Sequence, residues 1–386
     1  MAEGGDDDVA GEPAGPATVA EGGNDDVAGE PAGPATVAAM AEGGNDDITG
    51  EPAGPATVAT GDDLRIVSLL PSLTDIVAEL GLAERVVGVT HECDNGLVLK
   101  RAGKGPVVVT ESFIDPKAEQ KEINDAVIES LAQNHSLYAL KEDSLRPLAP
   151  THVLTQSLCD VCAVAFEQVK SKCARLLADK PYKLLSVEPS TLQDVQESIT
   201  LVGNNLGASR EAIDAALNRF DTKKAAIEAA VEQHLSQVGV GGEKPRVAVL
   251  EWCEPMFTGG HWIQEMVEAA GGSYSLAKKG ERSRVMSQEE LKEYDPDVIV
   301  MAFCGFDLER CEADTRKILM DQQGEHYVWW SQLRAVRDGR VFATDGNQYF
   351  SRPSHQLVDG IGILAQVMHG VPRQDASERR WTRLTL

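Results

Sequence analysis

From Leu64 onward the chain repeats one pattern: a short run of consecutive apolar residues, a turn, then an amphipathic stretch long enough for a helix. The apolar runs fall at Arg65 to Leu70, Arg85 to Thr90, Thr151 to Thr155, Lys183 to Val187, Arg246 to Leu250, Asp297 to Ala302 and Arg340 to Thr344. Helical spacing recurs between them, at Asp75 to Leu80, Ile123 to Gln133, Phe166 to Leu177 and Leu192 to Leu206. A strand that is apolar on both faces must be covered on both, and helices alternating with such strands achieve this around a parallel sheet. The pattern therefore predicts an α/β fold, with ligands expected at the carboxyl ends of the strands.

One stretch breaks the alternation. From Ser209, an expected N-cap, to Gly239 the sequence favours helix for about 28 residues, or roughly 40 Å. Ile213, Leu217, Phe220, Ala226, Ile227, Ala230, Val231 and Leu235 give it an incomplete apolar stripe. A helix of this length between two αβ blocks reads as a strut joining two lobes, with the ligand in the cleft between them. The alternative is a surface helix on one continuous domain. The expected architecture is α/β: two Rossmann-like lobes with parallel sheets joined by a long backbone helix and preceded by a disordered repeat tail. The expected boundaries are a tail at 1–63, an N-terminal lobe at 64–207, the helix at 208–240, a C-terminal lobe at 241–372 and a C-terminal tail at 373–386.

The tail is an 18-residue unit, "AEGGDDDVAGEPAGPATV", returning at Ala20 and Ala41 with small changes. It has too little apolar surface to offset the entropy of ordering. Residues 1–63 hold fifteen Asp and Glu and no Lys or Arg, so of the formal net charge of −25 only −10 belongs to the rest. Neither part has the basic footprint of a nucleic-acid binder. No apolar run is long enough to span or insert into a membrane. Neither an apolar export core nor a basic presequence is recognised near the start, which gives the expectation of a cytoplasmic protein. Seven scattered cysteines fit reduced thiols rather than a disulfide framework.

The first strand ends in "SLLPSLTD", whose turn carries hydroxyls and lacks the glycines with which a nucleotide-binding turn approaches a pyrophosphate. Ser72 or Thr74 is the expected helix cap, beside free backbone N–H groups facing a ligand. The whole segment "RIVSLLPSLTDIVAELGLAERVVGVT" resembles the N-terminal signature of the class III substrate-binding proteins of ABC importers, the cobalamin (vitamin B12) and iron-siderophore receptors. The long helix resembles the backbone helix joining their lobes, and "KPRVAVLEW...GHWIQEMVEAAGG" resembles the opening of their second lobe. The likeness runs from about Leu64 to Val371 and is strongest to the cobalamin-binding-like branch. It implies a corrinoid or similar large, metal-containing ligand held between lobes that move little, and an ABC permease as partner.

With that fold, strand ends supply the candidate ligand-binding residues. The first lobe offers Pro71, Ser72 and Thr74, then His91, Glu92, Cys93 and Asp94, then Gln156, Cys159, Asp160 and Cys162, and Glu188. The second offers Glu251, Trp252, His261, Trp262, Phe303, Cys304, Phe306, Tyr349, Phe350 and Arg352. Aromatic side chains suit a flat macrocycle, and a neutral imidazole or a thiolate can ligate a metal. His91, Cys93 and His261 are the candidate metal set, for zinc, iron or the metal of the ligand. Arg352 is expected to hold an anionic group of the ligand or to pair with Asp359.

No G-x-S-x-G, P-loop, H-E-x-x-H or dinucleotide fingerprint is present, and no catalytic residue is assigned. The competing expectation is a thiol- or metal-dependent cytosolic enzyme acting on a small molecule in the same cleft. A third is a scaffold whose acidic tail engages a basic partner.

Overall fold

The computed structural model describes residues 63–100, 105–133, 137–156, 166–238, 243–320, 325–372 and 379–384. The acidic repeats and the Cys159, Asp160 and Cys162 turn lie outside the described residues. All seven apolar runs are strands. In the first lobe β1 (Ile66–Ser68), β2 (Val86–Val89), β3 (Val107–Val108), β6 (His152–Thr155) and β7 (Lys183–Ser186) form a parallel sheet in the order β3-β2-β1-β6-β7. Beside it β4 (Thr110–Ser112) pairs antiparallel with β5 (Tyr138–Leu140). The second lobe has β8 (Val247–Cys253), β9 (Met256–Thr258), β10 (Val298–Met301), β11 (Val341–Thr344) and β12 (Trp381–Leu384), ordered β12-β11-β10-β8-β9. There β8, β10 and β11 run parallel, with an antiparallel strand at each edge.

Strand β12 corrects the expectation of a tail over 373–386. Its alternating apolar and charged residues suit an edge strand: Trp381 meets Phe342 edge-on at 5.5 Å, and its indole N–H donates to Gln366 Oε1 at 3.0 Å.

The long helix spans Arg210–Val238, 29 residues. Ser209 Oγ accepts from Ala212 N at 3.2 Å, which satisfies one of the free N–H groups of its first turn. Its buried side chains divide between two cores: Ile213 and Ala216 join the first lobe's cluster, Phe220 and Val231 the second's. Burial of each large side chain contributes about 1.5–3 kcal/mol, so one rigid element is anchored in both lobes. This is the strut reading rather than a helix lying on one domain. Gly203 allows its close approach, because a Cβ there would lie 2.6 Å from Ile213 Cγ1. Polar contacts join the lobes where Asp94, after β2, meets Arg352, after β11, and where Gln120 meets Cys253 at the end of β8, so the two sheets face each other by the carboxyl ends of their parallel strands.

Candidate ligand cleft

The corner after β1 is built differently from its expected form. The helix Pro71–Glu79 begins with Pro71, which has no N–H to satisfy, and no side chain caps it. Ser72 and Thr74 lie inside it and are buried. Thr74 Oγ1 sits 2.9 Å from Ser68 Oγ and 3.1 Å from Leu70 O, so these hydroxyls close the strand–helix corner instead of capping it or facing a ligand. Pro71 is half-buried.

The turn after β2 presents a more open chemistry. His91 Nδ1 lies 2.7 Å from Thr110 Oγ1, and the same oxygen accepts from His91 N at 2.9 Å. Thr110 Oγ1 also lies 3.1 Å from Thr90 Oγ1, and because both hydroxyls rotate, this chain of contacts accommodates either neutral tautomer of the ring. Nε2 has no hydrogen-bond partner; Glu92 Oε1 is 3.2 Å away but without hydrogen-bonding geometry. Tyr138 flanks the ring at 5.5 Å.

Around this histidine the first lobe leaves apolar side chains in solvent. Leu97 is 70 % exposed, Leu99 40 %, Val108 41 % and Phe113 66 %. Val108 pairs with Val89, two residues before His91, and Phe113 follows the strand that carries Thr110. Leu97 and Leu99 ride on the short helix Gly96–Leu99, whose first turn is capped by Asn95 Oδ1. Sequence reasoning missed these four. The signal for Leu97 and Leu99 was an apolar "GLVL" after a capping Asn, with no helical or strand period to bury it.

Arg352 is 4 % exposed and crosses to the other lobe. It holds Asp94 through two bonds, Nη1–Oδ1 at 2.7 Å and Nη2–Oδ2 at 3.0 Å, and lies 3.5 Å from Asp75 Oδ2. Burial opposes the charge, yet Asp94 and Asp75 raise the pKa of Arg352 above its usual value. Asp75, fully buried, also accepts from Asn95, Gln356 and Ser354. Both terminal nitrogens of the guanidinium are therefore held by the protein, while its buried Nε has no hydrogen-bond partner. The expected pairing with Asp359 is not formed, because Lys223 and Arg380 hold that carboxylate.

The second lobe's aromatic residues do not line an open surface. Phe303, Phe306, Trp262, Tyr349 and Phe350 are all less than 8 % exposed and belong to that lobe's own core. Trp262 Nε1 donates to Phe350 O at 2.8 Å, while Phe303 packs edge to face with Phe306 and with the half-buried Trp252, and Trp252 is tilted against Phe306. Gln156 is buried at the end of β6, and Glu188 is exposed beside Ser186.

His261 stacks on Trp262 in a left-handed conformation, φ 54°, and burial lowers its pKa to about 4. Next to it Gly260 donates to Ser283 Oγ, and a Cβ there would fall 2.2 Å from Ser283 N. Ser283 in turn donates to Glu251, whose carboxyl is pushed up to about 7 by burial.

His91, Cys93 and His261 are not assembled into one site: among the described residues no three His, Cys, Asp or Glu side chains are grouped closely enough to hold a metal ion. Burial raises the thiol pKa of Cys93, of Cys311 to about 11 and of Cys173 to about 12, and places Cys253 well above its ordinary value. Such thiols stay protonated and unreactive at neutral pH.

Two parallel-sheet lobes on one strut, with a cleft between their strand ends, define a bilobed ligand-binding protein. Residues 160–348 match the family described as "Periplasmic binding protein". No curated protein sequence matches the chain. Among solved structures it is similar to a periplasmic heme-binding protein of Pseudomonas aeruginosa, at 17 % identity and TM-score 0.55 over 80 % of this chain and 94 % of that one. A possible iron-binding periplasmic solute-binding protein of Staphylococcus epidermidis aligns at 17 % identity and TM-score 0.53, over 79 % of this chain and 98 % of that one. The periplasmic heme-binding protein of Vibrio cholerae aligns at 12 % identity and TM-score 0.55, over 79 % and 99 %.

Over residues 160–348 the chain is thus similar to the periplasmic binding protein family, the class III substrate-binding family. That family and these structures are substrate-binding proteins, not enzymes. They are also periplasmic or extracytoplasmic, which overturns the expectation of a cytoplasmic protein. Among the described residues no helix is long and apolar enough to cross a membrane.

Proposed function

We propose that the chain binds a large, flat, metal-containing ring ligand of the heme or corrinoid kind in the cleft between its lobes, and delivers it to an importer permease as members of that family do. The observation that carries this reading is the His91 turn. An imidazole held by Thr110, with an Nε2 that has no hydrogen bond, lies in the lobe that also leaves Leu97, Leu99, Val108 and Phe113 exposed. A macrocycle has an apolar face for the latter and a metal for the former, and metal-bound histidines donate their other N–H to an oxygen, a role that Thr110 Oγ1, 2.7 Å from Nδ1, would fill. Glu92 then moves aside from Nε2; its carboxylate is half exposed and free to do so. Heme binding by several proteins of the same fold supports this class of ligand.

Within this reading Pro71, Glu92, Cys93, Asp94, Gln156, Glu188, Trp252 and His261 border the cleft, whereas the buried aromatic residues shape it from behind. The test is titration of the full chain with hemin and, separately, cobalamin, followed by absorbance and calorimetry. Saturable one-to-one binding of either, with a ligand-band shift that His91→Ala removes, is the expected result. Failure of both ligands to bind contradicts it.

A further inference from the structure

One segment is continuous in sequence with the first lobe but fastened to the second. After β4, residues 113–119 cross the cleft, and Arg310 donates to Pro116 O at 3.0 Å and to Ala118 O at 2.7 Å. Gln120, 2 % exposed, opens the helix Gln120–Ala132. Its Oε1 accepts from Cys253 N at 2.9 Å, its carbonyl from Trp252 Nε1 at 3.3 Å, and its Nε2 faces Asp314 Oδ2 at 3.4 Å. Ile123 packs on the second lobe's core and Lys317 reaches Glu119 at 2.8 Å. All of these partners belong to the second lobe. The antiparallel pairing of β4 with β5, three residues long, leads back to the first.

The other polar crossing is built of stronger parts. Asp75 and Arg352 are almost fully buried and share Asp94, Asn95, Ser354 and Gln356. It stands beside the strut, since Glu79 of the same helix binds the strut's Arg219 and lies 4.0 Å from His355. Undocking residues 113–119 leaves Arg310 paired with Asp314 at 2.8 Å and exchanges its bonds to two carbonyls, the Gln120 bonds and an exposed ion pair for water. Opening the other crossing separates the buried Arg352 from its carboxylates, which is costlier. The Lys317–Glu119 pair is of the exposed kind, at 60 % and 57 %.

We propose that residues 113–133 are a lid. It undocks from Arg310, Trp252 and Cys253 to admit the ligand, while the Arg352–Asp75 side and the strut stay closed as a fixed hinge. Phe113 and Thr110, the support of His91, stand at the root of this segment, so undocking opens the wall next to the proposed ligand site. The inference rests on that site for its purpose, but the motion itself is measured without ligand.

The experiment is hydrogen exchange on the full, ligand-free chain, comparing native protein with Arg310→Ala and Gln120→Ala. Amides at 116–125 are expected to exchange about ten-fold faster or more in each variant, with β1, β8 and the strut unchanged. Hemin is expected to associate and dissociate faster in both variants, with the two rates changing more than their ratio. Lid amides whose exchange is unchanged in both variants, or which shift only together with the sheets, overturn the proposal. If neither hemin nor cobalamin binds, the proposed ligand class fails, and the exchange result alone decides the lid.

Discussion

The two lobes meet at one cleft and treat their apolar residues in opposite ways. The second lobe folds Phe303 and Phe350 under its strand ends until they are 0 % and 1 % exposed, with Trp262 bonded to the chain of Phe350. The first lobe leaves Leu97 and Phe113 at 70 % and 66 % in solvent around a histidine whose Nε2 lacks a hydrogen bond. On the proposed reading the exposed apolar groups of the first lobe are the recognition surface, whereas the buried aromatics of the second are structure. Ligand contact is then chiefly the first lobe's and rigidity chiefly the second's.

The largest effect expected is on stability, in the second lobe. Phe350→Ala empties a packed site and should cost about 3–5 kcal/mol in urea unfolding. A loss below about 1 kcal/mol would mean that Phe350 is free to leave the core and meet a ligand, and the contrast between the lobes would fail.

Next in size is a pH effect at the end of β8. Burial pushes Glu251 up to about 7 and Asp345 up to about 6, so above about pH 4 the native protein holds protons that the unfolded chain has released. Their contribution to stability falls as pH rises toward those values. His152 and His261, both lowered to about 4 by burial, act in the opposite sense, because the unfolded chain binds their protons up to about pH 6.5. The two pairs offset one another through mildly acidic pH, and Glu251 alone continues to lower stability toward pH 7. Glu251→Gln keeps an acceptor for Ser283 and removes the titration. It should raise stability at pH 8 by about 1–3 kcal/mol relative to pH 4.5. Native and variant unfolding curves that differ by the same amount at both pH values would contradict this.

The smallest stability effect belongs to the first lobe. Phe113→Ser should change unfolding by no more than about 0.5 kcal/mol, because the ring is largely in water already. If it destabilises as Phe350→Ala does, the exposed patch is packing and not a binding face.

Much of the scaffold was legible before any coordinates. Continuous apolar runs can only be buried strands, so β1, β2, β6, β7, β8, β10 and β11 all stand where the sequence placed them, and a 29-residue helix follows from Ser209 and an uninterrupted helix-forming stretch. Two- and three-residue strands such as β3 and β4 carry no period, and β12 reads as a charged terminus because an edge strand is half polar. The site was less legible. A residue's place after a strand fixes where its backbone lies but not where its side chain points: Tyr349 and Phe350 end a short helix that turns them into the core. Arg352 met Asp94 and Asp75, more than 250 residues away, instead of Asp359. Nothing local in the sequence marks such a pairing. His91 was singled out for its residue type, but its contact with Thr110, and through it with Thr90, exists only because the β2 and β4 strands bring them together.

The most direct test of the division between lobes is ring-ligand affinity in a variant that alters only the exposed patch. Leu97→Ser with Phe113→Ser should keep the melting temperature of the native full chain and weaken hemin or cobalamin binding at least about ten-fold, as expected for loss of two apolar contacts of about 1 kcal/mol or more each. Unchanged affinity in that double variant would contradict the account and return the ligand to the second lobe.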